Sequence, residues 1–337
     1  MSKRAVSKEA VYAVLRHYTA QYRKYPVATA FAFVLPALGT ILIFFVPPLI
    51  LARLIDIFSQ RGVVSLESTG SLIALFAGAW FLGEVLWRVG THFLVILKAK
   101  SHRDLNIKAL DSLNSRSFAF YADNFVGSLT SRAYSFIFGF EGFTDTIHYN
   151  FFTNIFTITF AMIVLWTYSP ILPLLLLFCI GILFAVAIPR IKYRSKLVGV
   201  RHEAGSKLSG RFSDIVTNMA SVKAFAAEPY ESKIFLEHVD DFVVKYRHAA
   251  NYSNLHIDTR ISPLYVATNT IGLFASIFLA SRLGLQPSVV IVVFSYFVQV
   301  TGIFWQVNYT YRNIEVAVGG AAEFTRSEER RVGKECL

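Results

Sequence analysis

Six apolar runs alternate along the chain with two long polar excursions and three short turns. The runs cover about residues 26–58, 71–97, 148–168, 171–188, 262–283 and 288–304. Most of them reach the roughly 20 residues that a helix needs to cross a bilayer. The excursions, Lys98–Ile147 and Pro189–Arg260, are polar yet keep apolar residues at helical spacing. In the second, Leu208, Phe212, Ile215, Met219 and Val222 recur at intervals of four, three, four and three, which is one stripe of a helix. Phe235, Val239, Phe242 and Tyr246 mark a returning arm with its own stripe. Gly127 and the Asp123-Asn124 pair predict a bend in the first excursion. The pattern therefore predicts an all-α membrane protein of six transmembrane helices, with two long helical hairpins outside the bilayer. Pro36, Pro47 and Pro48 are expected to bend the first span, where neighbouring helices must recover the freed carbonyls.

Ahead of the first span, residues 1–25 carry Val11, Val14, Leu15, Tyr18 and Tyr22 on one helical face. That stripe predicts a helix lying in the membrane interface.

Composition agrees with a membrane location. The 337 residues are 54% hydrophobic and only 16% charged, against about 25% charged in a soluble domain. The net charge of +11 is unevenly placed: basic residues gather in the N-terminal segment and the two excursions. By the positive-inside rule those parts are expected in the cytoplasm, N-terminus included. No aromatic–basic interleaving suggests a nucleic-acid groove, so no nucleic-acid partner is expected. The two cysteines, Cys179 and Cys336, cannot form a disulfide framework, and no zinc-type spacing occurs.

Candidate chemistry within the spans is sparse. Glu84 and Arg88 lie one helical turn apart and can pair, and charge inside a span is a functional hypothesis by default. Ser295, Gln299, Gly302, Gln306 and Tyr309 share one face of the sixth span. Phe152, Phe156 and Phe160 form a stripe suited to packing or lipid contact, with a polyspecific drug surface as the alternative. Neither a Ser/His/Asp nor a Cys/His arrangement of nucleophilic catalysis is visible, and no metal site is expected.

Two motifs give the layout a relative. FYADNFVGSLTSR, Phe120–Arg132, lies in the first hairpin, and NMASVKAFAAEPYE, Asn218–Glu231, in the second. In this order and in these loops they resemble the transmembrane domain of type 1 ABC exporters, over about Tyr12 to Phe324. The resemblance implies a dimer of such domains that opens alternately to each side of the membrane. It implies coupling helices near Ser117–Asn124 and Asn218–Phe225, docking on nucleotide-binding domains. The residues it points to are Phe120, Tyr121, Asp123, Asn124 and Gly127 at the first tip. At the second they are Asn218, Met219, Val222, Lys223, Phe225 and Glu228. It makes Glu84, Arg88, Ser295, Gln299, Gln306 and Tyr309 candidates for the translocation path. ATP and magnesium are implied for the nucleotide-binding domain, with no cofactor in this chain, and the substrate is open among small molecules, lipids and peptides. Membrane lipid is a further partner. The competing reading is a secondary transporter, or another polytopic membrane protein independent of ATP.

One departure is plain. A phosphate-binding loop reads GxxxxGK[ST], and the only Gly-Lys in the chain, Gly333-Lys334, lacks both the following hydroxyl and the earlier glycine. The chain itself is thus not expected to hydrolyse ATP. Residues 26–325 are read as the transmembrane domain, truncated before its motor. RSEERRVGKEC, Arg326–Cys336, resembles a translated sequencing adapter, so residues 326–337 are expected to be a non-native tail.

Overall fold

A computed structural model describes residues 8–61, 66–123, 126–284 and 286–335. Among them every regular element is a helix. In chain order these are α1 (Lys8–Lys24), α2 (Pro26–Thr40), α3 (Val46–Arg61), α4 (Leu66–Asn114), α5 (Phe118–Asp123) and α6 (Val126–Asp145). They continue with α7 (Thr153–Tyr168), α8 (Ile171–Thr217), α9 (Met219–Ala224), α10 (Glu228–Tyr252), α11 (Thr259–Leu283) and α12 (Val289–Glu335). Short π-helical segments, Ile41–Phe45, Thr146–Phe152 and Ser253–Asp258, join α2 to α3, α6 to α7 and α10 to α11. Five continuous helical stretches are long and apolar enough to cross a membrane, and Val289–Phe304 is a shorter apolar one. The residues read as the first five spans lie within the five long stretches, and those read as the sixth overlap the shorter one.

The chain divides into two units. The first holds residues 1–173 and 273–337. Its densest seam joins α2 to the antiparallel α4, where small residues let the backbones approach. A Cβ added at Gly90 would lie 2.4 Å from the Pro36 ring, and one at Gly83 would lie 2.7 Å from Ile43. Ala28, Ala32 and Phe33 close this seam on Leu94 and Leu97. Such close approach suits lipid, where packing rather than water drives helix association.

The same unit has a second core, around α6 and the far end of α12. Phe136, Ile137, Phe140 and Phe143 of α6 pack there with Ala317, Val318, Ala321 and Phe324. The N-terminal helix completes it: Val14 and Tyr18 are fully buried in the cluster, and the Tyr18 hydroxyl donates to the Phe136 carbonyl at 2.6 Å. Burial pushes the Tyr18 phenol pKa up. The apolar stripe of α1, expected to meet the membrane interface, is thus largely covered by protein. The periodicity was sufficient to find the face, but periodicity alone does not name what covers it.

The second unit, residues 174–272, is the remaining hairpin. Its antiparallel arms, α8 and α10, are joined by aromatic rungs. Tyr193 meets Tyr252 at 4.9 Å between ring centroids, Arg201 lies 5.7 Å over Tyr246, and Phe212 faces Phe235 at 6.0 Å. Near the tip Arg211 pairs with Glu231.

Candidate functional site

Each hairpin ends in a helix of six residues, α5 in the first and α9 in the second. Neither is the simple continuation of a long arm. At the first tip Ser115, Arg116 and Ser117 interrupt the helix after α4. The Tyr121 hydroxyl then reaches back to the Leu113 carbonyl at 2.7 Å, while the Arg116 guanidinium sits 5.2 Å over the Phe120 ring. These contacts hold Phe120 and Tyr121 against the tip. Phe118 is left 89% exposed. Gly127 is exposed on the first turn of α6, Asn124 lies outside the described residues, and so does the side chain of Asp123.

The second tip breaks at Asn218. Its backbone leaves the helical basin (φ −98°, ψ 17°), and its side-chain amide donates to the Asp214 carbonyl at 2.9 Å. The stripe read from Leu208 to Val222 as one helix is therefore split between α8 and α9. The helix α9 ends in a Schellman cap: Ala227 N–H bonds the Val222 carbonyl at 2.9 Å and Ala226 N–H bonds Lys223 at 3.2 Å. Ala226 takes the left-handed conformation, φ +50°, that this cap requires.

The cap decides which side chains face outward. Val222 is only 8% exposed, whereas Phe225 is 82% exposed. Val222, which the resemblance places among the residues of the coupling helix, has its side chain buried within the chain. Lys223 pairs with Glu228 at 2.8 Å, and this hydrogen bond holds the Glu228 carboxyl below the usual carboxylate range. Met219 is exposed at the start of α9. The projecting surface is therefore Met219 and Phe225, with Tyr230 also exposed beyond the cap. Sequence reasoning missed Phe118 and Tyr230. Aromatic residues in polar loops were the available signal, but which of several neighbours points outward depends on the bonds just described.

The candidates within the spans separate differently. Glu84 and Arg88 do meet, at 3.7 Å, and both are exposed on α4. In α12 Ser295 is half-buried and Gln306 exposed, and the Tyr309 side chain lies outside the described residues. Gln299 is committed elsewhere: its amide donates to the Phe44 carbonyl at 2.7 Å. Pro48 has no N–H to offer that carbonyl, so a side chain from α12 supplies the donor. The phenylalanine stripe that begins at the end of the π-helical segment and runs into α7 is partly used in packing, with Phe152 edge-on to Phe33 at 5.3 Å and Phe160 to Phe45 at 6.2 Å.

The fold is shared with known proteins. Residues 30–304 match the family described as the ABC transporter transmembrane region, and the chain belongs to that family. The solved structure described as a bacterial Atm1-family ABC exporter with ATP bound is similar, with a TM-score of 0.74 and 14% sequence identity. The match covers 90% of this chain and 53% of that one, so the chain spans about half the length of the exporter. At that identity the likeness speaks to the fold. Compared by sequence with curated proteins, the chain has no match. The fold is thus that of an ABC exporter membrane domain, and the protein is an integral membrane protein.

Proposed function

We propose that this chain is the membrane-spanning, substrate-translocating part of an ATP-driven exporter. It works as a dimer by alternating access, with its N-terminus and hairpins in the cytoplasm. ATP and magnesium bind on nucleotide-binding domains, which dock on α5 and α9. The substrate is a small molecule, a lipid or a peptide. One observation carries this reading: both tips are short, internally braced helices that present an aromatic ring, Phe118 or Phe225, to the surroundings. Bracing a short helix while exposing an aromatic ring at its end suits a partner whose pocket receives that ring.

The test is coupling. With the nucleotide-binding domains present, Phe225→Ala should leave ATP hydrolysis intact and lower substrate transport per ATP about tenfold, the effect of losing one well-packed interface anchor. Val222→Ala should act differently, destabilising the tip by about 1–2 kcal/mol because its side chain is buried. Unchanged coupling in the Phe118→Ala, Phe225→Ala double variant would reject the assignment of both tips.

A further inference from the structure

A second surface with definite chemistry lies at the start of the first span. There α1 passes into α2 through the single residue Tyr25. Tyr25 leaves the helical basin (φ −121°, ψ 62°), with Tyr25 N–H bonding the Gln21 carbonyl to close α1 and Thr29 N–H bonding the Tyr25 carbonyl to open α2. Alongside, α4 runs antiparallel, and the rings of Phe31 and Phe93 stack with centroids 4.8 Å apart. Lys24 stands seven residues before Phe31, and Lys100 seven residues after Phe93. Within α4 seven residues are two helical turns, so Lys100 lies on the face of Phe93, about 10 Å further along the helix and beside the start of α2. Both are 5.5 Å from the Tyr25 ring centroid.

Asp104 organises the group. It accepts from Lys24 at 2.6 Å and from the Tyr25 hydroxyl at 2.7 Å. Arg23, Lys100 and Arg103 are exposed, and none of them has a carboxylate within ion-pairing distance among the described residues. Lys24, Lys100 and Arg103 therefore meet one carboxylate, which is already engaged. Val27 and Phe31 continue the surface as an exposed apolar strip on the span.

From this juxtaposition we infer a binding site for an anionic phospholipid, with the headgroup at Lys100 and Arg103 and an acyl chain along Val27 and Phe31. A soluble anion would use the cations but leave the strip bare, and a neutral lipid would use the strip but leave the cations unneutralised. Only an amphiphile with a negative head satisfies both. Basic clusters at the end of a span attract acidic lipid in this way. The inference rests on α2 and α4 crossing the membrane and is independent of the proposed transport cycle.

Native mass spectrometry of the purified chain in detergent tests it, by titration with phosphatidylglycerol and with phosphatidylcholine of the same acyl chains. The unmodified chain should retain phosphatidylglycerol in preference. The Lys100→Gln, Arg103→Gln double variant should bind it roughly 25-fold more weakly, about fivefold for each basic side chain removed, with helicity by circular dichroism unchanged. Lys100→Arg with Arg103→Lys should restore binding. Equal retention of the two lipids by the unmodified chain would overturn the inference, as would undiminished phosphatidylglycerol binding by the glutamine variant. Displacement of the lipid by millimolar inorganic phosphate would also overturn it, by showing a site for free anions.

Discussion

The Tyr296 hydroxyl donates to the Phe45 carbonyl at 2.7 Å, joining α12 to the π-helical segment of the first span. The neighbouring bond from Gln299 to Phe44 has the same length. Together they satisfy carbonyls in a stretch where Pro47 and Pro48 remove two helical donors. Irregular backbone at membrane depth persists only where such partners exist.

Removing those donors should weaken the fold measurably. Tyr296→Phe is expected to cost about 1 kcal/mol, the net worth of a neutral hydrogen bond. Gln299→Leu should cost about 1–3 kcal/mol, since it leaves a carbonyl unsatisfied. Thermal unfolding in detergent, followed by circular dichroism, measures both.

Gly90 is predicted to be intolerant of a methyl group. A Cβ there meets a rigid proline ring at 2.4 Å, so Gly90→Ala should destabilise the seam of α2 and α4 by about 1–3 kcal/mol. Gly78, with open space around it, is the control, and Gly78→Ala should be neutral or slightly stabilising.

At the second tip, Ala226→Gly should stabilise α9 by about 0.5–1 kcal/mol, because glycine adopts φ +50° without the penalty of a Cβ. Ala226→Val should do the opposite. Hydrogen exchange at the α9 amides should slow in the first variant and quicken in the second.

The Asp104 cluster gives a pH dependence of known sign. Burial opposes ionisation of Asp104, but the bonds from Lys24 and Tyr25 outweigh it and hold the carboxyl below the usual carboxylate range. A carboxyl depressed on folding stabilises above its unfolded pKa and loses that contribution as pH falls through the folded value. Asp104→Asn should therefore lower Tm at pH 7, and the gap to the unmodified chain should narrow below about pH 4.

How much of this was legible beforehand differs from residue to residue. The spans were, because a bilayer imposes length and hydropathy on every crossing segment. So were the Glu84–Arg88 pair and the turn at Gly284, where φ is +64°, since both depend on local spacing and residue type. The break at Asn218 was hidden under an unbroken helical period, because one residue's ψ can stop a helix without disturbing the apolar spacing around it. Val222 and Phe225 differ by three positions in a short amphipathic motif, and only the cap separates buried from exposed. Gln299 sits on a polar face of the sixth span, but the carbonyl it serves lies 255 residues away in sequence.

The uninterrupted length of α8 has a mechanical meaning. Its 47 residues extend roughly 70 Å at about 1.5 Å per residue, more than twice the thickness of a hydrocarbon core. Arg190 donates to the Val186 carbonyl beside Pro189, and the helix continues through the proline. A continuous helix of that span is a lever. A tilt of about 5° at one end carries the other roughly 6 Å, close to one helical pitch. Small displacements at the tip can thus be traded for changes of angle in the bilayer.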